Sequence, residues 1–436
     1  MLTIRHALLL AAAIAAPLSA QTVPAKTKWI LAGRLIDKPG EPPRGPSTIV
    51  VVDGRIAEVR DGVALPPSES GIEVISLTDK TVLPGLIDSH VHLNSDAGGL
   101  AGQIEEVALS PATQALNAQW NGMKTLRAGF TTVRNLGDGD GATLALRNAI
   151  AEGKVQGPRI VDAGVSISGT AGHMDGTLGY RDELHPVFSA AGNTCDGADD
   201  CRRAVRRQIG RGADVIKFAS TGGVNSRIGA GLGRQMFDDE AKAIVETAHM
   251  FGKKVAVHAH GADGIALALA AGADSIEHGT IMDDAAIAAW RAHPMAYYVP
   301  TLSTVNGYKE RLAANADAYA PDVLEKIKWR IAITGKALQT LVPKGVKIAF
   351  GTDAGVSKHG RNGDEFELMV ANGMTPTSAL VAATVNAADL LGLANEIGTI
   401  EKGKSADIVA VNGDPLRDVT VLKSMAFVMA RGEVIR

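Results

Sequence analysis

Aromatic residues are scarce in this 436-residue sequence: Phe, Trp and Tyr together make up 4%. Any core must therefore be filled by Ala, Val, Ile and Leu. Cysteine is nearly missing, with Cys195 and Cys201 the only two, so a thiolate metal cluster or a disulfide framework is excluded. A large charge of one sign is lacking as well. The formal net charge of -3 gives no electrostatic case for nucleic acid as a partner. Long apolar runs are also missing. The one that stands out, "ALLLAAAIAAPLSA" from Ala7 to Ala20, is too short to span a bilayer.

That run has a different reading. Arg5 and His6 precede it, and Ser19-Ala20 closes it with small residues. This is the grammar of a secretory signal peptide over residues 1–20. The mature protein is expected to be exported, periplasmic or extracellular, and to have no membrane span. Export also bears on the cysteines of "NTCDGADDC", which sit in a Gly/Asp-rich stretch. An oxidising compartment favours a local structural disulfide there.

With 46% hydrophobic and 21% charged residues, the rest has the balance of a globular protein. Residues 21–82 read as short strands and turns, with Asp53-Gly54 marking a hairpin in "STIVVVDGRIAEVRDG". Residues 396–436 do the same in "ADIVAVNGDP" and "AFVMARGEVIR". Neither end has enough strands alone, so one small β-sandwich domain formed by both chain ends is expected. Between them, over residues 83–395, strand and helix patterns alternate. The strand candidates are "GLIDSHVHL", "FTTVRNL", "PRIVDAGVSI", "ADVIKFAS", "KKVAVHAHG", "DSIEHGT", "AYYVPTL" and "VKIAFGTDAG". Eight βα units predict an α/β fold, a (β/α)8 TIM-like barrel.

In such a barrel the active site lies at the C-terminal ends of the strands. Those ends carry His90 and His92, Lys217, His258 and His260, His278, and Asp353. Residues two apart on a strand share a face, so His90 and His92 aim at one point. A single such histidine is as well explained by a satisfied polar core. Five of them with an aspartate on different strands are not. Together with Lys217 they offer nitrogen and oxygen donors suited to zinc or a similar divalent ion. Lys217 follows an apolar run and faces this cation-rich point. It is either a lysine paired to a carboxylate or an amine converted by carbon dioxide to an anionic carbamate.

"PGLIDSHVH", "TTVRNLG", "IKFASTGG", "VHAHG", "DSIEHGT", "GTDAG" and "EIGTIEKGKSADIVA" resemble the amidohydrolase superfamily over nearly the whole mature chain. The resemblance is nearest to the branch of imidazolonepropionase-like proteins and prolidase-type dipeptidases, which also holds bacterial ochratoxin-hydrolysing amidohydrolases. It implies two divalent metal ions, zinc being the expected one. His90 and His92 would bind the more buried ion, and His258 and His278 the second. Lys217 would be carboxylated and bridge the two. Asp353 would bind the first ion and serve as general base. Either His258 or His260 fits the fifth-strand ligand, with motif position favouring His258 and leaving His260 for substrate.

His173 in "SGTAGHMDG", Arg227 in "GGVNSRIG" and His359 in "SKHGRNGDE" are further candidates for substrate binding. Each has a plainer reading as a loop or solvent-facing side chain. The resemblance implies a homo-oligomer, octamers included. It also implies an exported hydrolase of linear amides, with dipeptides, N-acyl amino acids or ochratoxin-type amides of phenylalanine as small-molecule substrates. A cyclic amide hydrolase of the imidazolonepropionase type and a non-catalytic binding protein are the alternatives.

Overall fold

Apolar, β-branched segments form the first strands of the described chain. The computed structural model describes residues 26–67, 71–139, 141–227 and 231–436. The expected signal segment lies outside them. Strands β1 (Thr27–Leu35), β2 (Ser47–Val52), β3 (Arg55–Asp61) and β4 (Glu73–Pro84) come first. Asp53 and Gly54, with φ of 48° and 78°, form the two-residue turn between β2 and β3. Both central residues of such a turn need positive φ, which is why an Asp-Gly pair sits there.

Eight strands follow: β5 (Leu86–Val91), β6 (Phe130–Asn135), β7 (Arg159–Asp162), β8 (Val215–Ala219), β9 (Lys254–Ala259), β10 (Ser275–His278), β11 (Tyr297–Val299) and β12 (Lys347–Ile348). Helices alternate with them, among them Asp238–Met250 and Ala262–Ala271. The chain returns to β structure in β13 (Ile408–Val411), β14 (Met425–Ala430) and β15 (Glu433–Val434).

The first and last groups join in one seven-stranded sheet, ordered β15-β14-β13-β4-β1-β2-β3. Both chain ends thus meet in one β unit, as expected. Among the described residues it is a single sheet, where a sandwich of two was expected. The reason is the pairing of β1 on both edges and the reach of β4, which pairs with β1 and β13. The two chain ends therefore extend one ladder. One face carries its own cluster of Ile30, Ala32, Ile49, Val51, Ile408 and Met429. The other packs Leu83, Val409, Val411 and Val428 into the core of the helices and parallel strands.

The middle strands make a mixed α/β fold with parallel sheets. β5-β6-β7 form one sheet and β8 through β12 another. Every residue of β5, β6 and β8 is buried, as strands covered on both faces require. Hydrogen bonds join the two sheets at both edges. Ile167 donates to Lys217 O at 2.8 Å, and Ser89 donates to Phe350 O at 2.8 Å. β12 is shorter than the run "VKIAFGTDAG" suggests because Phe350, Asp353 and Ala354 bond to Ser89, His90 and His92 instead of extending a regular ladder.

Cys195 and Cys201 are disulfide-bonded. Cys201 lies in the helix Ala198–Gly210, not in a loop with Cys195. The loop ends at Gly197, and Asp199 and Asp200 favour a helix start immediately after it. No helix among the described residues is long and apolar enough to cross a membrane.

Candidate active site

The parallel strands deliver the sequence-predicted residues to one buried region. His90 lies in β5, Lys217 in β8, His258 in β9 and His278 at the end of β10. His92, His260 and Asp353 follow the strand ends. The rings of His90 and His278 are 5.1 Å apart, those of His258 and His278 4.7 Å, and those of His90 and His92 5.4 Å. One donor atom each from His90, His278 and Asp353 falls within 4.8 Å of the others. Asp353 Oδ1 is 3.4 Å from His90 Nε2 and 3.3 Å from His92 Nε2.

Each ring is oriented through one nitrogen. His90 Nδ1 meets Glu277 Oε2 at 2.8 Å, and His92 Nδ1 meets Gly137 O at 3.0 Å. His278 Nδ1 and His260 Nδ1 meet Thr301 Oγ1 and Thr280 Oγ1, both at 2.7 Å. His258 is reversed, with Nε2 3.3 Å from Gly222 O. One nitrogen fixed and the other free is how a ligating histidine is held. His258 and His260 both satisfy it, so the fifth-strand choice stays open.

Burial sets the protonation. It pushes His90 down to about 4 and holds His258, His260 and His278 well below the ordinary imidazole value. It also lowers Lys217 to about 8. The Lys217 Nζ is buried with no hydrogen-bond partner among the described residues, an arrangement that costs free energy unless something else meets it. Burial acts to raise Asp353 and Glu277. Nearby His90 and His92 outweigh it for Asp353, and Arg134 and His90 do so for Glu277, leaving both at about 2. Asp353, His278 and Thr301 take left-handed φ values of 57°, 68° and 48°. Non-glycine residues bear this strain mostly at functional sites.

Sequence reasoning missed Glu277 and Arg134. Arg134 Nη2 donates to Glu277 Oε1 at 2.8 Å and its Nε to Ser89 O at 2.6 Å. Both charges are buried. The available signal was a charged residue inside an otherwise apolar strand, in "TTVRN" and "SIEHG", which needs a partner there.

Beside the cluster is a cavity of about 480 Å³, lined among others by His92, His173, Tyr180, Phe188, Arg227 and Val323. Tyr180 and Phe188 stack with centroids 4.7 Å apart. His173 faces the cavity, its ring 4.1 Å from that of His258 and its Nδ1 bonded to the Ser226 hydroxyl. Arg227 is an exposed lining residue, 3.8 Å from Asp322. His260 stands behind the lining, stacked on His278 at 5.0 Å. His359 does not line the mouth as expected. It is buried behind His92, with Nε2 2.9 Å from His92 O and 3.6 Å from Asp96. The loop after Asp353 folds back toward β5 and carries it there.

Parallel strands that bring histidines, a lysine and an aspartate to one buried point beside a cavity define a class: α/β enzymes with a strand-end site. The chain belongs to the amidohydrolase family, whose model matches residues 81–435, and it is a hydrolase of amide bonds. It is 33% identical over 418 residues to an ochratoxinase of Aspergillus niger, covering 93% of this chain and 85% of that protein. A solved Xaa-Pro dipeptidase with methionine bound in its active site superimposes with a TM-score of 0.88 at 38% identity, over 94% of this chain and 99% of the other. A solved prolidase in complex with N-methylphosphonate-L-proline does so with a TM-score of 0.83 at 29% identity, over 94% and 99%.

Proposed function

We propose that this protein is an exported, metal-dependent amidohydrolase that cleaves linear amides of small substrates bearing a free C-terminal carboxylate. Dipeptides and N-acyl amino acids, including aromatic acyl amides of phenylalanine, are the substrate class. The observation that carries the reading is the cluster of buried His90, Lys217, His258, His278 and Asp353 with half-buried His92, beside an aromatic-walled cavity. The amide-cleaving relatives support the choice of bond. The two sheet-edge seams support closure of the eight parallel strands into a barrel.

The residues fit a pair of divalent ions, zinc by preference. The Lys217 Nζ is the strongest sign, because a carbamate formed on it gives two oxygens sharing one negative charge where the described residues offer the bare amine no partner. His90, His92 and Asp353 would hold one ion, His258 or His260 with His278 the other, and carboxylated Lys217 both. When bound, such ions supply Lewis acidity and lower the pKa of water toward neutrality.

The chain's own groups do the rest. Asp353, ionised at neutral pH, takes the proton of the attacking water at a carboxylate oxygen and delivers it to the leaving nitrogen. Glu277 fixes the His90 ring. Tyr180, Phe188 and Val323 take up apolar substrate groups, and His173 faces the substrate from beside His258. Arg227 is available to a carboxylate. Zinc-loaded protein assayed on dipeptides and N-acyl amino acids should hydrolyse them and discriminate against their carboxamide counterparts. Turnover of cyclic ureides alone would overturn the reading.

The Cys195–Cys201 disulfide supports an oxidising compartment, and N-terminal sequencing of exported protein should begin at Gln21. A homo-oligomer is supported by Leu116 and Trp120, a turn apart and 72% and 63% exposed. Light scattering tests it.

A further inference from the structure

We infer that Arg311 is a positioning residue, the clasp that holds the loops behind His92 and Asp353 against each other. Arg311 lies in the last turn of the helix Thr304–Ala314. Its guanidinium has five N–H donors in a fixed plane, and five acceptors meet it. Nε donates to Ala97 O at 2.6 Å. Nη1 donates to Val356 O at 2.5 Å and to the Tyr319 hydroxyl at 3.3 Å. Nη2 donates to Asp96 O and Gly355 O, both at 3.0 Å.

Four of these acceptors are backbone carbonyls from two loops. Asp96 and Ala97 follow His92. Gly355 and Val356 follow Asp353. The two segments also meet through His92 N to Ala354 O at 2.7 Å and Asp353 N to His90 O at 2.7 Å, and, further along, through His359 N to Asp96 Oδ1 at 3.1 Å and His359 Nε2 2.9 Å from His92 O. The clasp lies just beyond those bonds, so it fixes the spacing that sets His92 Nε2 3.3 Å from Asp353 Oδ1. A lysine has three donors and no plane, so it cannot hold four carbonyls in this layout. Gly98 shows how closely the loop is fitted. Its φ is 58°, and a Cβ there would lie 2.6 Å from Arg311 Cζ. Residue 98 must therefore be glycine for the guanidinium to sit where it does.

The inference rests on the reading of His92 as a ligand and Asp353 as ligand and base, and its test separates the two. Zinc-loaded wild type, Arg311→Lys, Arg311→Ala and Gly98→Ala are compared for Tm, zinc loss to EDTA, kcat and KM. Removing support behind a ligand typically costs 10–100-fold in affinity or activity. The variants should lose zinc roughly 10–100 times faster and lose kcat by a similar factor, with KM within about threefold. Arg311→Lys should fall between wild type and Arg311→Ala. Gly98→Ala displaces the guanidinium without removing it, and it carries the test should Arg311→Ala fail to fold. Folded variants with wild-type zinc loss and kcat overturn the inference, and so does a drop in Tm alone. A wild type that holds no zinc instead overturns the metal reading, and the kcat comparison alone then decides the role of Arg311.

Discussion

The two β regions of this molecule treat charge in opposite ways. In the sheet made by both chain ends, carboxylates meet partly exposed arginines. Arg34 meets Asp414 at 2.5 Å and Arg44 meets Asp37 at 2.8 Å. At the ends of the parallel strands, ionisable groups are buried and several free atoms face one another. Lys217 Nζ has no partner among the described residues, and His90 and His278 beside it are held below their ordinary pKa by burial. Three non-glycine residues there also carry left-handed backbones. A fold tolerates such a concentration of cost where function requires it. In the first region the charges are met by neighbours, though Asp407 Oδ2 has no hydrogen-bond partner among the described residues, and the second is arranged for something that enters it.

Substitutions in the two regions should differ by orders of magnitude. Asp353→Asn should lower kcat roughly 10²–10⁴-fold, the range for removing a general base. Steady-state kinetics on an N-acyl amino acid checks it, and a variant within about tenfold of wild type would remove Asp353 from the proton path. Glu277→Gln should cost roughly 10–100-fold in activity or zinc affinity through the His90 ring. It also weakens the hold on buried Arg134, so a lowered Tm should accompany the loss.

The metal-stripped protein should lose stability as pH falls from about 6.5 to 4, the window between unfolded and folded histidine values. Folded His90 and His173 titrate at about 4 and about 3, and His258, His260 and His278 also lie well below normal. The unfolded chain takes up protons in that window that the fold refuses. Burial opposes this at Asp88, Asp162 and Glu365, raised to about 6, 7 and 7, because the fold binds their protons more tightly. Burial also lowers His359 and raises Glu106, so six histidines outnumber four acids and the net effect is loss. Asp353 and Glu277, held at about 2, extend it below pH 4. A Tm that stays level or rises between pH 6.5 and 4 would contradict this balance. At the small end, Arg34→Ala in the terminal sheet should cost about 1 kcal/mol or less by urea unfolding and leave kcat unchanged. A larger loss would mean that the sheet is not self-sufficient.

The order of the strands was readable because their apolar runs are long and their helices periodic, as in "KKVAVHAHG" and "DDEAKAIVETAHMFG". The strand-end residues were readable because spacing two apart fixes a shared face, as at His90 and His92. The partnership of Arg134 with Glu277 was not, since it joins β6 to β10 across 143 positions, and only the tertiary fold sets such a distance. His359 was misjudged for a related reason. A histidine after a strand end looks like rim, but here the loop turns back and buries it under His92. The sheet of the chain ends was legible as a unit but not as a single layer, which depends on β1 pairing along both edges.

The most direct test is the metal content of wild type and Lys217→Ala, measured by elemental analysis alongside activity. The wild type should hold divalent metal, and Lys217→Ala should lose metal and turnover together. A folded Lys217→Ala variant with full metal content and full activity would show that the unpartnered lysine at the centre of the cluster is not what holds the site.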